Sequence, residues 1–194
     1  MNLIYGVGIR EEGEFLATVD GKHSMLYTAW KNMLARCYSG VMHSHRPTYV
    51  GCKVEGDFIY FQKFARWYTE QTINKDMDYQ LEKDLFIKGN KVYSEKTCFL
   101  VPRRINMFLC KSEKKRGEYP IGVCWHEKMG RFVSQLSVCG VRAPSKFFDT
   151  PEEAFDCYKE RKEAAAKQLA KLYVADCSPD VIALLNAYTV DIND

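Results

Sequence analysis

The sequence predicts an α+β protein: a helical, ββα-like N-terminal module, then a three-stranded antiparallel sheet packed on one long helix. Three observations predict it. Apolar residues recur at three- and four-residue steps in two segments of the first half. An all-polar run, "KSEKKRGE" at 111–118, interrupts the chain and suits an exposed linker. Beyond it the period changes to alternation over three short runs, and a strongly capped helix follows. The expected organisation is one module at 1–110, a second at 117–173 and an acidic C-terminal tail at 174–194.

The first 24 residues read as irregular, apart from a hairpin in "EEGEFLATVDGK" that turns at Asp20-Gly21. A helix is predicted over 24–38, with Leu26, Trp30, Met33, Leu34 and Cys37 at helical spacing. "SGVMHSHRPTY" reads as a polar loop and "VGCKV" as a short strand. Asp57 starts a second helix, 57–71, which places Phe58, Phe61, Phe64, Ala65 and Tyr68 on one side with Trp67 nearby. "INKDMDYQ" is a loop, "LEKDLF" a strand and Lys88-Gly89-Asn90 a turn, after which Val92-Tyr93 resumes extension. A turn spans Ser94 to Thr97, an apolar run follows, and Pro102 opens a short helix through Leu109 with Arg103 and Arg104 outward.

In the second half "YPIGVCWHE", "RFVSQLSV" and "VRAPSKFF" are extended, joined by turns at "KMG" and Cys139-Gly140. Thr150 as N-cap, Pro151 at the first helical position and Glu153 two residues later form a capping box. Phe155, Tyr158, Ala165, Leu169 and Leu172 supply the buried stripe, and Lys and Arg fill the other faces.

Composition narrows the function classes. No apolar run in the 194 residues approaches the ~18 of a membrane span. "MNLIYGVGIREEGE" lacks a basic start followed by a long apolar core. The expectation is a cytoplasmic protein with no membrane partner. The eight cysteines (Cys37, Cys52, Cys98, Cys110, Cys124, Cys139, Cys157 and Cys177) form no CxxC, and such thiols are expected to stay reduced, many of them buried. Charge is uneven: residues 102–173 hold 15 Lys/Arg against 9 Asp/Glu, whereas residues 1–101 hold 13 against 12. The basic section is a candidate face for an anionic ligand, against the plainer reading of a solvated surface.

The stretch "YPIGVCWHEKMGRFVSQLSVCGVRAPSKFFDTPEEAFDCYKE" resembles the APETALA-type (ethylene-response-factor-like) DNA-binding domain over about residues 117–173. The likeness is carried by Gly122-Val123, Trp125, Gly130-Arg131-Phe132, Gln135-Leu136, Phe148-Asp149-Thr150 and Glu152-Glu153-Ala154. It implies double-stranded DNA as partner, with the sheet in the major groove and the helix behind it; a two- or three-stranded ribbon fits that groove. Carried over by position, the groove-facing residues are Trp125, Lys128, Arg131, Gln135 and Arg142, with His126 and Lys146 nearby. This sequence has Cys124 where the family usually carries an arginine.

The first half, over about residues 25–109, is similar to phage and prophage proteins of degenerate HNH-like character, on "YTAWKNMLARCYS", "RPTYVGCKV", "FQKFARWY" and "YQLEKDLFIKGNKVYSEKTCFLVPRRIN". The resemblance implies a phage or mobile-element protein, in the host cell cytoplasm. It places Asp84 where an HNH finger has its histidine base, Asn90 at the structural asparagine of the turn and Asn106 at the third motif position. Such a finger would use one Mg²⁺-type ion. However, none of the four histidines lies between Leu81 and Asn106, and a carboxylate of ordinary pKa is a poor base near neutral pH.

The alternative is structural: Asp84 pairs with a Lys or Arg, and Asn90 accepts a positive φ in a turn. Cys37, His43, His45 and Cys52 are zinc-competent residue types, but their spacing matches no familiar site. DNA binding therefore leads. A metal-dependent endonuclease is the alternative, as is a protein-interaction factor that docks a partner through the aromatic helices. An exposed Trp30/Phe61/Trp67 patch would favour the last of these.

Overall fold

Ser24 accepts a hydrogen bond from Tyr27 N at 3.2 Å, and the helix it caps, α1 (Met25–Tyr38), buries Tyr27, Trp30, Met33, Leu34, Ala35 and Cys37. This computed structural model describes residues 3–84, 87, 89–110 and 118–192. Mixed helix and strand make it an α+β protein. The chain divides into two compact units, Met1–Val101 and Pro102–Asp194. That division falls ahead of the linker expected at 111–118, of which 111–117 lie outside the described residues.

In the first unit, β1 (Thr18–Val19) and β2 (Lys22–His23) pair through a turn in which Asp20 and Gly21 both have positive φ, 50° and 73°. Two positive φ values in succession are what Asp-Gly supplies in a hairpin turn. The segment expected as a polar loop is mostly helical: Ser39 caps α2 (Gly40–His45), and a 3₁₀ turn occupies Pro47–Tyr49. The expected helix 57–71 is broken in two. A 3₁₀ turn covers Gly56–Ile59, Tyr60 is extended, and α3 (Phe61–Gln71) follows. The break is where Ile9 adds a strand-like bridge to Tyr60. Phe58, Phe61, Phe64, Ala65 and Tyr68 are buried as the periodicity predicts, and the Trp30 indole N–H donates to Phe58 O at 2.8 Å.

Three further strands complete this unit before the boundary: β3 (Lys53–Val54), β4 (Tyr79–Glu82) and β5 (Val92–Tyr93). A fourth, β6 (Phe99–Pro102), runs up to it, and β3 pairs with β5 while β4 pairs with β6. The strand expected in "LEKDLF" ends at Glu82; Leu85, Phe86 and Lys88 lie outside the described residues.

The second unit opens with α4 (Arg103–Leu109), which exposes Arg103 and Arg104 and buries Ile105 and Phe108. β7 (Val123–His126), β8 (Arg131–Ser134) and β11 (Lys146–Phe148) form an antiparallel sheet in the order β11-β8-β7. The extended runs predicted on either side of Cys139-Gly140 are each interrupted. A separate hairpin pairs β9 (Ser137–Val138) with β10 (Val141–Arg142) through a turn with φ 51° at Cys139 and 84° at Gly140.

The long helix α5 (Pro151–Leu172) contacts β7, β8 and β11 and begins with the predicted capping box. Its buried stripe is wider than the sequence suggested. Ala154, Lys162, Ala166 and Ala170 join Phe155, Tyr158, Ala165 and Leu169, whereas Leu172 is exposed. Residues 174–192 are the described part of the segment expected as an acidic tail. They carry α6 (Pro179–Asn186), and Cys177, Val181, Leu185 and Val190 are buried.

Candidate functional site

Of the residues singled out in the first half, Asp84 and Asn90 lie around one buried ammonium. Lys83 follows β4 in a bend and is 6 % exposed. Its Nζ donates to both Asp84 carboxylate oxygens, at 2.6 and 2.7 Å, and to the carbonyl of Asn90, and it lies 5.7 Å from the Tyr93 ring centre. Both oxygens of Asp84 are thus engaged by a cation supplied by the chain itself. The Asp84 N–H donates to Glu82 Oε1 at 2.7 Å.

Asn90 corrects one expectation. It does not take a positive φ; Gly89 does, at 74°. Asn90 instead uses its side chain, donating from Nδ2 to Lys83 O at 2.9 Å and Val92 O at 2.8 Å, and accepting from Val92 N at 2.9 Å. It ties the chain after β4 to the start of β5. Asn106 belongs to the other compact unit, on α4, where its Oδ1 lies 4.0 Å from Cys110 Sγ.

A cleft of about 340 Å³ does open in the first unit, but its walls are α1, the end of α3 and β4, with Asn32, Arg36, Lys75 and Gln80 among them. Asp84 and Asn90 do not line it.

Among the described residues no three His, Cys, Asp or Glu side chains are grouped to hold a metal ion. Of the zinc-competent set, Cys37 and Cys52 are buried in the core, and His43 Nε2 is 3.0 Å from Arg36 O. Burial pushes the Cys37 thiol up to about 12, with the nearby Cys52 adding to the effect. Such a thiol stays protonated and is a poor ligand or nucleophile near neutral pH. Trp30 and Phe61 are fully buried and Trp67 packs against the same core, so the exposed aromatic patch that would have marked a partner-docking face is absent from the described residues.

In the second unit the strand register sorts the predicted contacts. Trp125 pairs with Phe132, which pairs with Phe148, while His126 pairs with Arg131 and Lys146 with Ser134. Because side chains alternate across a strand, Trp125 and Lys146 share one face of the sheet, and His126 and Arg131 share the other. The expectation of a single groove-facing set is corrected accordingly. Trp125 is 43 % exposed and its ring meets Phe132 edge-on at 4.8 Å. Arg131 Nε donates to Asp149 Oδ1 at 2.9 Å, a partner that nothing in the sequence pattern assigns to it. His126 packs its ring against Phe147, and its Nδ1 is buried without a hydrogen-bond partner.

Gln135 and Arg142 are brought together. Arg142 Nη2 donates to Gln135 Oε1 at 2.9 Å across the base of the β9–β10 hairpin. Lys128, Arg142 and Lys146 are all exposed.

No protein family matches this chain, and no curated protein or solved structure does. No helix among the described residues is long and apolar enough to cross a membrane.

Proposed function

We propose that the protein binds double-stranded DNA through its second unit, as a phage- or mobile-element-type protein with an APETALA-type domain. In this reading a three-stranded sheet rests on the one long helix α5, which acts as its support. The observation that carries the reading is the exposed set Trp125, Lys128, Arg142 and Lys146, with the Arg142 guanidinium already oriented by Gln135. Arginine forks onto guanine or grips phosphate, lysine neutralises phosphate, and a ribbon of strands fits the major groove. Arg131, tied to Asp149 and on the opposite face from Trp125, serves as a phosphate contact at the sheet margin. The basic balance of residues 102–173 supplies the long-range attraction.

The test is titration of labelled duplex DNA with the full chain at several salt concentrations. Arg142→Ala is expected to weaken binding by about 1–3 kcal/mol if it reads a base. Lys146→Ala is expected to weaken binding to all sequences alike and to flatten the salt slope by about one unit. Affinity unchanged in the double variant, with the fold intact, would remove this surface from the interface.

The nuclease alternative draws no support from the site around Asp84, whose carboxylate is held by Lys83. Nor does the protein-interaction alternative, since Trp30 and Phe61 are core residues.

A further inference from the structure

The last described stretch of chain, after α6, forms a strap held against α5. Two α5 side chains one helical turn apart grip a single residue of it. Val190 N donates to Glu163 Oε1 at 3.0 Å, and Lys159 Nζ donates to Val190 O at 2.9 Å. Neighbouring Tyr188 stacks near Phe108 of α4, ring centres 5.8 Å apart. Both backbone groups of Val190 are therefore satisfied by side chains, and its own side chain, 3 % exposed, enters an apolar cluster with Leu136, Phe155 and Tyr158.

The other members of that cluster give the strap its significance. Val138 and Ala143 pack on it, and Ala143 N donates to Leu136 O at 2.9 Å, closing the neck of the β9–β10 hairpin. Leu136 and Ala143 are the residues immediately after Gln135 and Arg142. On an extended chain neighbours point to opposite sides. Holding Leu136 and Ala143 inward therefore aims Gln135 and Arg142 outward, where the two side chains meet.

We propose that the strap Tyr188–Val190 is a positioning element for the DNA contact: Val190, clamped by Lys159 and Glu163, braces the neck of the hairpin and thereby fixes the direction of Arg142. The inference rests on the DNA-binding reading for its functional half, but its mechanical half stands on the cluster alone. It assigns an affinity-setting role to residues whose composition suggested only an acidic tail.

The experiment combines hydrogen exchange with a double-mutant cycle on the full chain. Val190→Ala is expected to speed exchange at Ala143 N while the centre of α5 keeps its protection, and to weaken duplex binding about fivefold, the scale of coupling through a backbone shift. In an Arg142→Ala background the same substitution should cost nothing further, because the brace acts through Arg142. Glu163→Gln, whose amide oxygen still accepts from Val190 N, should bind like the unaltered protein, whereas Glu163→Ala should behave like Val190→Ala. Equal losses in both backgrounds would mean general destabilisation and overturn the proposal. Unchanged exchange at Ala143 would overturn the brace itself. If the unaltered protein binds no duplex while Ala143 exchange still responds to Val190→Ala, it is the DNA reading that fails.

Discussion

Lys83 holds the residue-scale lesson. A lysine ammonium is strongly hydrated, and burying one is costly unless it finds acceptors. Here it finds the Asp84 carboxylate and the Asn90 carbonyl, and the Asn90 side chain closes the same loop with three hydrogen bonds. Asn90→Ala is expected to destabilise the first unit by about 1–2 kcal/mol, since partly buried backbone groups lose their partners; urea denaturation followed by the fluorescence of Trp30 and Trp67 would read it. For the same reason plasmid DNA incubated with the protein and Mg²⁺ is expected to stay intact, and Asp84→Asn should change nothing in that assay.

The cysteines give a second residue-scale prediction. Burial pushes Cys37, Cys98 and Cys177 up to about 12 from an ordinary 9.0. A raised folded-state value means that the folded protein keeps protons the unfolded chain would release. The associated stability is complete below pH 9 and is lost as pH rises from there toward 12. Melting temperature should therefore fall across that alkaline window, and replacing Cys98 with Ser should shrink the fall. Exposed Cys110 should react with a thiol reagent well before these three in the native protein.

Among the elements, the start of α5 was legible because its capping box is local, whereas the caps of α2 and α6 lay in segments expected as a loop and a tail. Ser24, Ser39, Thr150 and Ser178 all accept from a backbone N–H in the first turn of their helices. Thr150 does so at 3.2 Å from Glu153 N, and Glu153 returns the bond to Thr150 N at 3.3 Å. Thr150→Ala should cost the second unit about 0.5–2 kcal/mol in a denaturant titration.

Gly122 predicts a larger effect. It has φ 79°, and an added Cβ would sit 2.1 Å from the Tyr158 ring, so α5 and the entry to β7 touch through a position that only glycine fills. Gly122→Ala is expected to abolish the cooperative melting of the second unit rather than shift it. What failed at this scale were lengths. Helix 57–71 and the strand from Arg131 to Val138 had unbroken patterns, yet both are interrupted where another segment competes for the backbone. Ile9 bridges Tyr60 in the first case, and in the second the chain leaves β7 and β11 after Ser134 and pairs with β10 from Ser137.

For the whole molecule, the division after Val101 predicts that the two units fold separately. Residues 102–194 expressed alone should fold and retain duplex binding with the salt slope of the full chain, while residues 1–101 alone should not bind. Chemical-shift dispersion of each fragment and a titration of each would check this. A chain truncated after residue 173, the boundary suggested by composition, should instead be poorly folded, because Val181, Leu185 and Val190 leave the core with the deleted segment.

Legible in the sequence were the α+β class, the Thr150 capping box, the Asp20-Gly21 and Cys139-Gly140 turns and most of the aromatic core. Each of these depends on residues within a few positions of one another, or on a periodicity that repeats along one element. Asp84 pairs with a cation as expected, but tertiary structure decided that this cation, Lys83, is buried, that Trp125 and Arg131 face opposite ways, and that residues 174–192 belong to a core. The physical reason is common to all three. Lys83 gains the Asn90 carbonyl beside its neighbour Asp84 only once the chain from Gly89 to Val92 folds back on it, a strand's facing is set by register with its neighbours, and a short segment such as Tyr188–Val190 becomes a core element only when α5 offers Lys159 and Glu163 to satisfy its backbone.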